Sequence, residues 1–301
     1  MRYNKGKDGK LPSPATDTNK GGYRMYPYEI ILGMDLYSIL ISVGVIVCML
    51  FARIQADWRG LKARLQNLIL LNAVAAVVLG YGAAVLLQAF YNYMAKGTFE
   101  IVNSTGSTFY GGLIGGTALF IIVYFVAGRF LFKDGYHVAC FRTISDLAPA
   151  CITVAHGFGR LGCLMAGCCY GAESDAWYAI KMVHLGYKVV PVQLFEALFL
   201  FALSGVMLLL FKKGKKYEMP IYMIAYACWR FVAELMRNDY RGATVVDFLT
   251  PSQFISVLLL AGGLILLAAE LYVDGRKAAR SPSAPADEAA AAAAPEGDDH
   301  V

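Results

Sequence analysis

Three arginines and two carboxylates stand inside apolar sequence, and their spacing decides what they can do. Arg160 lies in His156-Gly-Phe-Gly-Arg-Leu-Gly-Cys-Leu-Met-Ala-Gly-Cys-Cys-Tyr-Gly171, among glycines and apolar residues with no sequence-local partner. Tyr226, Arg230, Glu234 and Arg237 follow one another at intervals of four, four and three, which stacks them on one helix face. Gln193 and Glu196 stand one turn apart after Pro191. A charge at membrane depth costs about 2.5 to 3.5 kcal/mol on the insertion scale, so such a residue faces a bundle interior or a wet cavity. Guanidinium groups match phosphate with paired donors, and two or three of them in a pocket open to lipid suit a phospholipid headgroup. The same groups stabilise charge that develops on a departing phosphate.

Each of these features also has a plainer reading. Arg230 and Glu234 are spaced as an i, i+4 ion pair that fixes packing, and Arg237 at a helix end is placed to snorkel to headgroups. Gln193 and Glu196 near an interface are placed to cap and hydrogen-bond. Gly111, Gly112, Gly115 and Gly116 have the small-residue spacing of a helix-packing surface. Of the seven cysteines, Cys48, Cys151 and Cys228 fall in apolar runs and read as small buried hydrophobes. Cys163, Cys168 and Cys169 remain open between packing residues, a disulfide from Cys163 to Cys168 or Cys169, substrate-site residues, and a metal or redox cluster. Their spacing does not match the usual paired-ligand patterns of structural zinc.

The elements that must position these residues are membrane helices. Hydrophobic residues make up 58% of the 301 and charged residues 16%, against about 45 to 50% and 25% in soluble domains. Apolar runs of about twenty residues match the length a helix needs to cross a bilayer, and no alternating pattern suggests a barrel. The sequence predicts an all-α, seven-span bundle with spans at 28–53, 66–95, 108–132, 143–165, 189–211, 219–237 and 251–273. Residues 1–27 read as a polar tail without a signal peptide, 28–273 as the membrane domain, and 274–301 as a low-complexity cytoplasmic tail. Arg53, Arg59, Lys62 and Arg64, then Arg129, Lys133 and Arg142, then Lys212 to Lys216 mark alternate connections as basic. The positive-inside rule therefore sets the N-terminus outside and the C-terminus in the cytoplasm, against the pull of a basic N-terminal tail. The net charge of +5 follows from these loops, and aromatic-basic interleaving of a nucleic-acid binder is absent. With this orientation Tyr37, Arg160, Cys163, Gln193, Glu196 and the Tyr226 to Arg237 face converge on one outward-facing pocket.

Four stretches, in order, resemble the prolipoprotein diacylglyceryl transferase family: Tyr110-Gly-Gly-Leu-Ile-Gly115, Gly159-Arg-Leu-Gly162 with Gly167 and Gly171, Pro191 to Glu196, and Tyr226 to Arg237. The similarity runs over about residues 30 to 272. It implies an enzyme of the plasma (inner) membrane that moves a diacylglyceryl group from phosphatidylglycerol to the lipobox cysteine thiol of a prolipoprotein, at the signal peptide, with no metal or organic cofactor. Arg160 and Arg230 would bind and polarise the phosphate, Glu234 would orient Arg230, and Tyr37 and Tyr226 would line the lipid site. Arg237, Gln193, Cys168 and Gly171 fall with the substrate-binding positions. The chain departs from the pattern where the family has His, Asn and Glu, carrying Tyr110, Cys163 and Cys168 instead, followed by Cys169. His156, one turn before Arg160, and Glu196 are the replacement candidates for a base. These substitutions keep two alternatives in view: a phospholipid-binding or transport protein without catalysis, and an envelope thiol oxidoreductase.

Overall fold

Long apolar runs punctuated by glycine fold as helices that bury small residues against one another. The computed structural model describes residues 29–31, 33–97, 101, 108–182, 185–237 and 248–280. Among these, the helices are α1 (Leu36–Trp58), α2 (Ala63–Lys96), α3 (Phe109–Leu131), α4 (Tyr136–Met165), α5 (Val192–Lys212), α6 (Glu218–Leu235) and α7 (Pro251–Arg280). Two short antiparallel pairs complete the element list, β1 (Glu29–Ile31) with β2 (Met34–Asp35) and β3 (Ile180–Lys181) with β4 (Lys188–Val189). The polar tail before residue 28 and the alanine-rich stretch from Ser281 lie outside the described residues.

Six of the helices are long and apolar enough to cross a membrane. The seventh, α6, spans about 27 Å at 1.5 Å per residue but holds Glu218, Arg230 and Glu234 within its 18 residues. Four expected boundaries move by about five residues or more, one of them the end of the first helix at Trp58 rather than 53. The first span begins at Leu36 rather than residue 28, because β1 and β2 form a hairpin ahead of it and Asp35 Oδ1 accepts the Ser38 N–H at 2.9 Å as an N-cap. Helix α4 begins at Tyr136 rather than 143, and α7 runs on to Arg280 rather than 273. Apolarity stops at the first charge, whereas a helix continues wherever that charge finds a partner. Arg142 of α4 finds Asp274 of α7 through both Nη atoms, at 2.6 and 3.0 Å, and Glu270 at 3.2 Å.

Glycines set how close the helices come. A Cβ on Gly111 of α3 would lie 2.9 Å from both Ala83 O and Ala84 Cα of α2, and one on Gly80 would lie 3.1 Å from Gly112 O. The glycine repeat is thus a packing surface between α2 and α3. Thr108 Oγ1 and Asn72 Nδ2 pin the same pair by donating to Ala84 O at 3.0 Å and Phe120 O at 2.8 Å. Gly44 brings α1 against Ala155 and Phe158 of α4, and Gly157 admits the Phe201 ring of α5. Carbonyls of α4, which contains Pro149, are met by neighbours: Gln55 donates to Leu147 O at 3.3 Å and Ser204 to Ala150 O at 2.8 Å. In an apolar medium these donors are worth having only where they find such an acceptor.

The basic connections gather at one end of the bundle. Arg59 Nη2 donates to Phe211 O at 2.8 Å, Lys62 pairs with Asp134 at 3.3 Å, and Lys216 reaches Asp274 at 3.4 Å. The principal apolar cluster includes Leu65, Tyr124, Ile144, Leu147 and Phe211. Cys151 is buried in it and Cys48 half-buried beside it. Cys228 is exposed rather than buried as its apolar run implied, because Tyr226 and Arg230, two residues to either side, take the inward face of α6.

Gly111→Ala should lower the thermal unfolding midpoint of the detergent-solubilised protein, corresponding to about 1 to 3 kcal/mol of overpacking. Gly82→Ala, where a Cβ meets nothing within 4 Å, should be neutral or slightly stabilising. Equal behaviour of the two variants would refute the packing role.

Candidate functional site

A carboxylate with 1% exposure organises the site. Glu196 sits in the second turn of α5, and three side chains from two other helices converge on it. Arg160 Nε of α4 lies 2.9 Å from Oε2, close enough for charge pairing although the N–H is off the hydrogen-bond axis. The Tyr226 hydroxyl of α6 donates to Oε1 at 3.0 Å. His156 Nε2 lies 3.9 Å from Oε1, and its ring meets the Tyr226 ring edge-on with centroids 5.3 Å apart. His156, Arg160 and Cys163 repeat at i, i+4 and i+7, so the last turns of α4 aim all three at one side. The Nη atoms of Arg160 make no hydrogen bond among the described residues, which leaves the forked end of the guanidinium for a ligand.

Arg230, one turn beyond Tyr226, is held in a second pair. Its Nη2 lies 2.9 Å from Glu234 Oε2 and donates to Ser252 Oγ of α7 at 2.7 Å. Its Nη1 is buried without a hydrogen-bond partner among the described residues. Ser252 was not among the residues singled out from sequence, yet a signal for it exists. Thr250-Pro-Ser-Gln253 is a capping box: the Thr250 N–H donates to Gln253 Oε1 and the Gln253 N–H to Thr250 Oγ1, each at 3.2 Å. Pro251 takes the first helical position, which needs no N–H. The box fixes where α7 starts, and hence where Ser252 stands.

The cysteine stretch forms the turn that ends α4. The Cys168 N–H donates to Cys163 O at 3.1 Å, and Gly167 and Cys169 take left-handed φ values of 68° and 63°. A side chain at such a φ is costly, so neighbours must hold it. Gln193 Nε2 donates to Cys168 O at 2.6 Å, and Arg237 Nη1 donates to Cys169 O. Gln193 and Arg237 therefore brace the turn, and Arg237 does so rather than reaching for headgroups. Three sulfur atoms, of Cys163, Cys168 and Cys169, lie within 4.8 Å of one another. All described cysteines are free, so the disulfide reading is not realised. Hydrogen bonds from Cys163 and then Cys168, with Arg160 and Arg237 nearby, hold the Cys169 thiol below its usual range, while Cys163 and Cys169 push that of Cys168 up.

Two further expected residues bound the site. Tyr37 packs across Gly162, where a Cβ would lie 3.1 Å from its ring. Gly171 closes the turn against the end of α6, with its N–H on Val190 O at 2.8 Å and room for no Cβ beside Met236 O. Tyr110 stands in the first turn of α3, and its side chain lies outside the described residues.

Glu196→Leu should destabilise the protein by about 3 to 5 kcal/mol, since it leaves the Arg160 charge buried without its carboxylate. Arg160→Leu combined with Glu196→Leu should recover most of that loss in the same unfolding assay. Strict additivity of the two single changes would show that the pair is not coupled.

Comparison with known proteins adds to this geometry. A sequence model of the family described as prolipoprotein diacylglyceryl transferase matches residues 28–269. A protein of Clostridium perfringens named phosphatidylglycerol–prolipoprotein diacylglyceryl transferase 2 is 33% identical over 249 residues, covering 78% of this chain and 91% of its own. Proteins named phosphatidylglycerol–prolipoprotein diacylglyceryl transferase from Clostridioides difficile (30% identical, 78% of this chain and 91% of its own) and Finegoldia magna (29%, 78% and 92%) are similar over comparable lengths. The ordered motifs, the all-helical membrane bundle and this match agree: the chain belongs to the prolipoprotein diacylglyceryl transferase family.

Proposed function

We propose that this multi-pass membrane protein transfers a diacylglyceryl group from phosphatidylglycerol to the lipobox cysteine thiol of a prolipoprotein. The carrying observation is a pair of arginines on facing helices, each held by its own carboxylate, with donors left over. Glu196 takes the Nε side of Arg160, and Glu234 with Ser252 takes one Nη of Arg230. Among the described residues, what remains without a hydrogen bond is the fork of Arg160 and Nη1 of Arg230. Such donors suit the non-ester oxygens of a phosphodiester, and they stabilise the second negative charge that appears when it becomes a monoester.

In the reaction the acceptor thiol loses its proton and its sulfur bonds to the glyceryl carbon. The carbon–oxygen bond to phosphate breaks, with the electron pair left on the phosphate oxygen. Glycerol phosphate departs and the thioether stays on the peptide. Arg160 and Arg230 act on the phosphate, while Glu234 positions Arg230 and Glu196 positions Arg160. His156 and Glu196 are the proton acceptors nearest the guanidinium of Arg160. Tyr110 stands with these catalytic residues, Tyr37 and Tyr226 border the lipid, and Gln193, Arg237, Cys163, Cys168 and Gly171 belong to the substrate side.

In this reading residues 28–273 form the catalytic unit, residues 1–27 and 274–301 are tails, and all seven helices span a bacterial plasma membrane. The signal peptide of the acceptor docks from within that bilayer. The gathering of Arg59, Lys62 and Lys216 at one end supports a cytoplasmic face there, with the N-terminus outside and the phosphate site toward the outer leaflet.

Purified protein in phosphatidylglycerol vesicles should convert a lipobox cysteine peptide to its diacylglyceryl thioether, detected by mass spectrometry, with release of glycerol phosphate. Arg160→Ala and Arg230→Ala should each lower kcat/KM by about 100- to 1000-fold, the scale of losing one donor to developing charge. Absence of thioether, or full activity in both variants, would overturn the assignment.

A further inference from the structure

The turn that ends α4 carries three cysteines beside Arg160, and the reading above leaves their chemistry unassigned. Among the described residues, Cys163, Cys168 and Cys169 are the group whose metal-ligating atoms come together, with all three sulfurs inside 4.8 Å. A zinc ion with bonds of about 2.3 Å to sulfur needs ligand sulfurs roughly 3.8 Å apart in a tetrahedron. The trio needs only small side-chain rotations to meet that spacing.

We propose that Cys163, Cys168 and Cys169 bind a zinc ion, and that its fourth position takes the acceptor cysteine thiol. The inference rests on the transferase reading given above and names how that reaction obtains its nucleophile.

Five points carry it. Three protein ligands with one open position is the arrangement of catalytic zinc, whereas closed structural sites have four. Cys168 is exposed and the other two are half-buried, so the open side of the trio faces outward. The turn is braced before any ligand arrives, by Gln193 on the Cys168 carbonyl and Arg237 on the Cys169 carbonyl, as outer-shell groups orient metal ligands elsewhere. Three thiolates on a dication carry one negative charge, and Arg237, whose Nη1 bonds the Cys169 carbonyl, stands beside the trio to balance it. Cys163 follows Arg160 by three residues on α4, so a thiolate held there lies next to the guanidinium that takes the phosphate.

The chemistry balances without an oxidant or reductant. The acceptor S–H gives its proton to water as the zinc–sulfur bond forms, because a coordinated thiol ionises at neutral pH. The bound thiolate attacks the glyceryl carbon, a carbon–sulfur bond forms, and the carbon–oxygen bond breaks with its electron pair on phosphate. The thioether, a weaker ligand than a thiolate, then leaves the metal. A soft monovalent cation such as copper(I) would be satisfied by three thiolates and would leave no position for the acceptor.

The full chain, purified reduced and without chelator, should carry about one zinc by elemental mass spectrometry, and Cys163→Ser, Cys168→Ser and Cys169→Ser should each drop to about a tenth of that or less. Cys228→Ser, on the lipid-facing side of α6, should keep its zinc. Because the serine variants can fail to fold, the wild-type protein is also loaded with cobalt in place of zinc. It should show sulfur-to-cobalt charge-transfer absorption, and the visible bands should change on adding a lipobox peptide with cysteine but not one with serine. No metal, copper in place of zinc, a disulfide within the trio, or undiminished lipidation after zinc is stripped would overturn the proposal and leave the transferase reading intact. A bound metal that ligates the peptide while no thioether forms would instead overturn the transferase reading and leave the metal site standing.

Discussion

Burial of the Glu196 carboxylate is the constraint on which the rest of the polar architecture depends. Two charges inside a helical bundle are tolerable only when paired and further hydrogen-bonded, since the desolvation of each is worth several kcal/mol. Glu196 meets Arg160 on one oxygen and Tyr226 on the other, with His156 close by. It therefore links α4, α5 and α6 through one side chain. Arg160 is held by charge pairing at its Nε edge, and its Nη atoms make no hydrogen bond among the described residues. Arg230 repeats the device on α6 and α7, using Glu234 and Ser252. A guanidinium gripped at one edge is positioned for an anion at the other, which is how an apolar bundle comes to present fixed positive charge.

Fixed positions also require rigid helices, and two kinds of contact supply them. Glycine contacts between α2 and α3 and between α1 and α4 bring backbones close enough for dispersion to act without a hydrophobic drive from water. At the basic end, Arg142, Glu270, Asp274, Lys216 and Tyr217 join α4, α7 and the α5–α6 connection in one charged network. Asp274 accepts from three different side chains there, and the registration of α4 against α7 sets how far Arg160 and Ser252 project at the opposite end.

Much of this was legible in the chain, and the reasons separate cleanly. Apolar length reveals helices because lipid demands it, so the elements were found, while their ends slipped where Arg142 and Asp274 pair across helices and let α4 and α7 continue. Period marks a face, so the spacing of Tyr226, Arg230 and Glu234 reveals one inward stripe, whereas the apolar run around Cys228 hides that it faces outward. Partner choice between helices has no local signature. Nothing beside Arg160 names Glu196, and nothing beside Arg237 says that it bonds a carbonyl of the cysteine turn. Ser252 is intermediate, since its capping box is readable but its contact with Arg230 is not.

The reaction has a phosphate half and a thiol half, and they make different demands. Arginine is hard to replace on the phosphate side, because no other side chain offers permanently charged, forked donors. Activation of a thiol has several solutions, including a base, a neighbouring cation and a metal. In this chain Arg160 and Arg230 each stand beside a carboxylate, Glu196 and Glu234. Three sulfur atoms share one braced turn beside Arg160. Cys169 is held at a left-handed φ of 63° while Gln193 and Arg237 bond the carbonyls of its turn. Strain that is maintained at a site points to a part still in use.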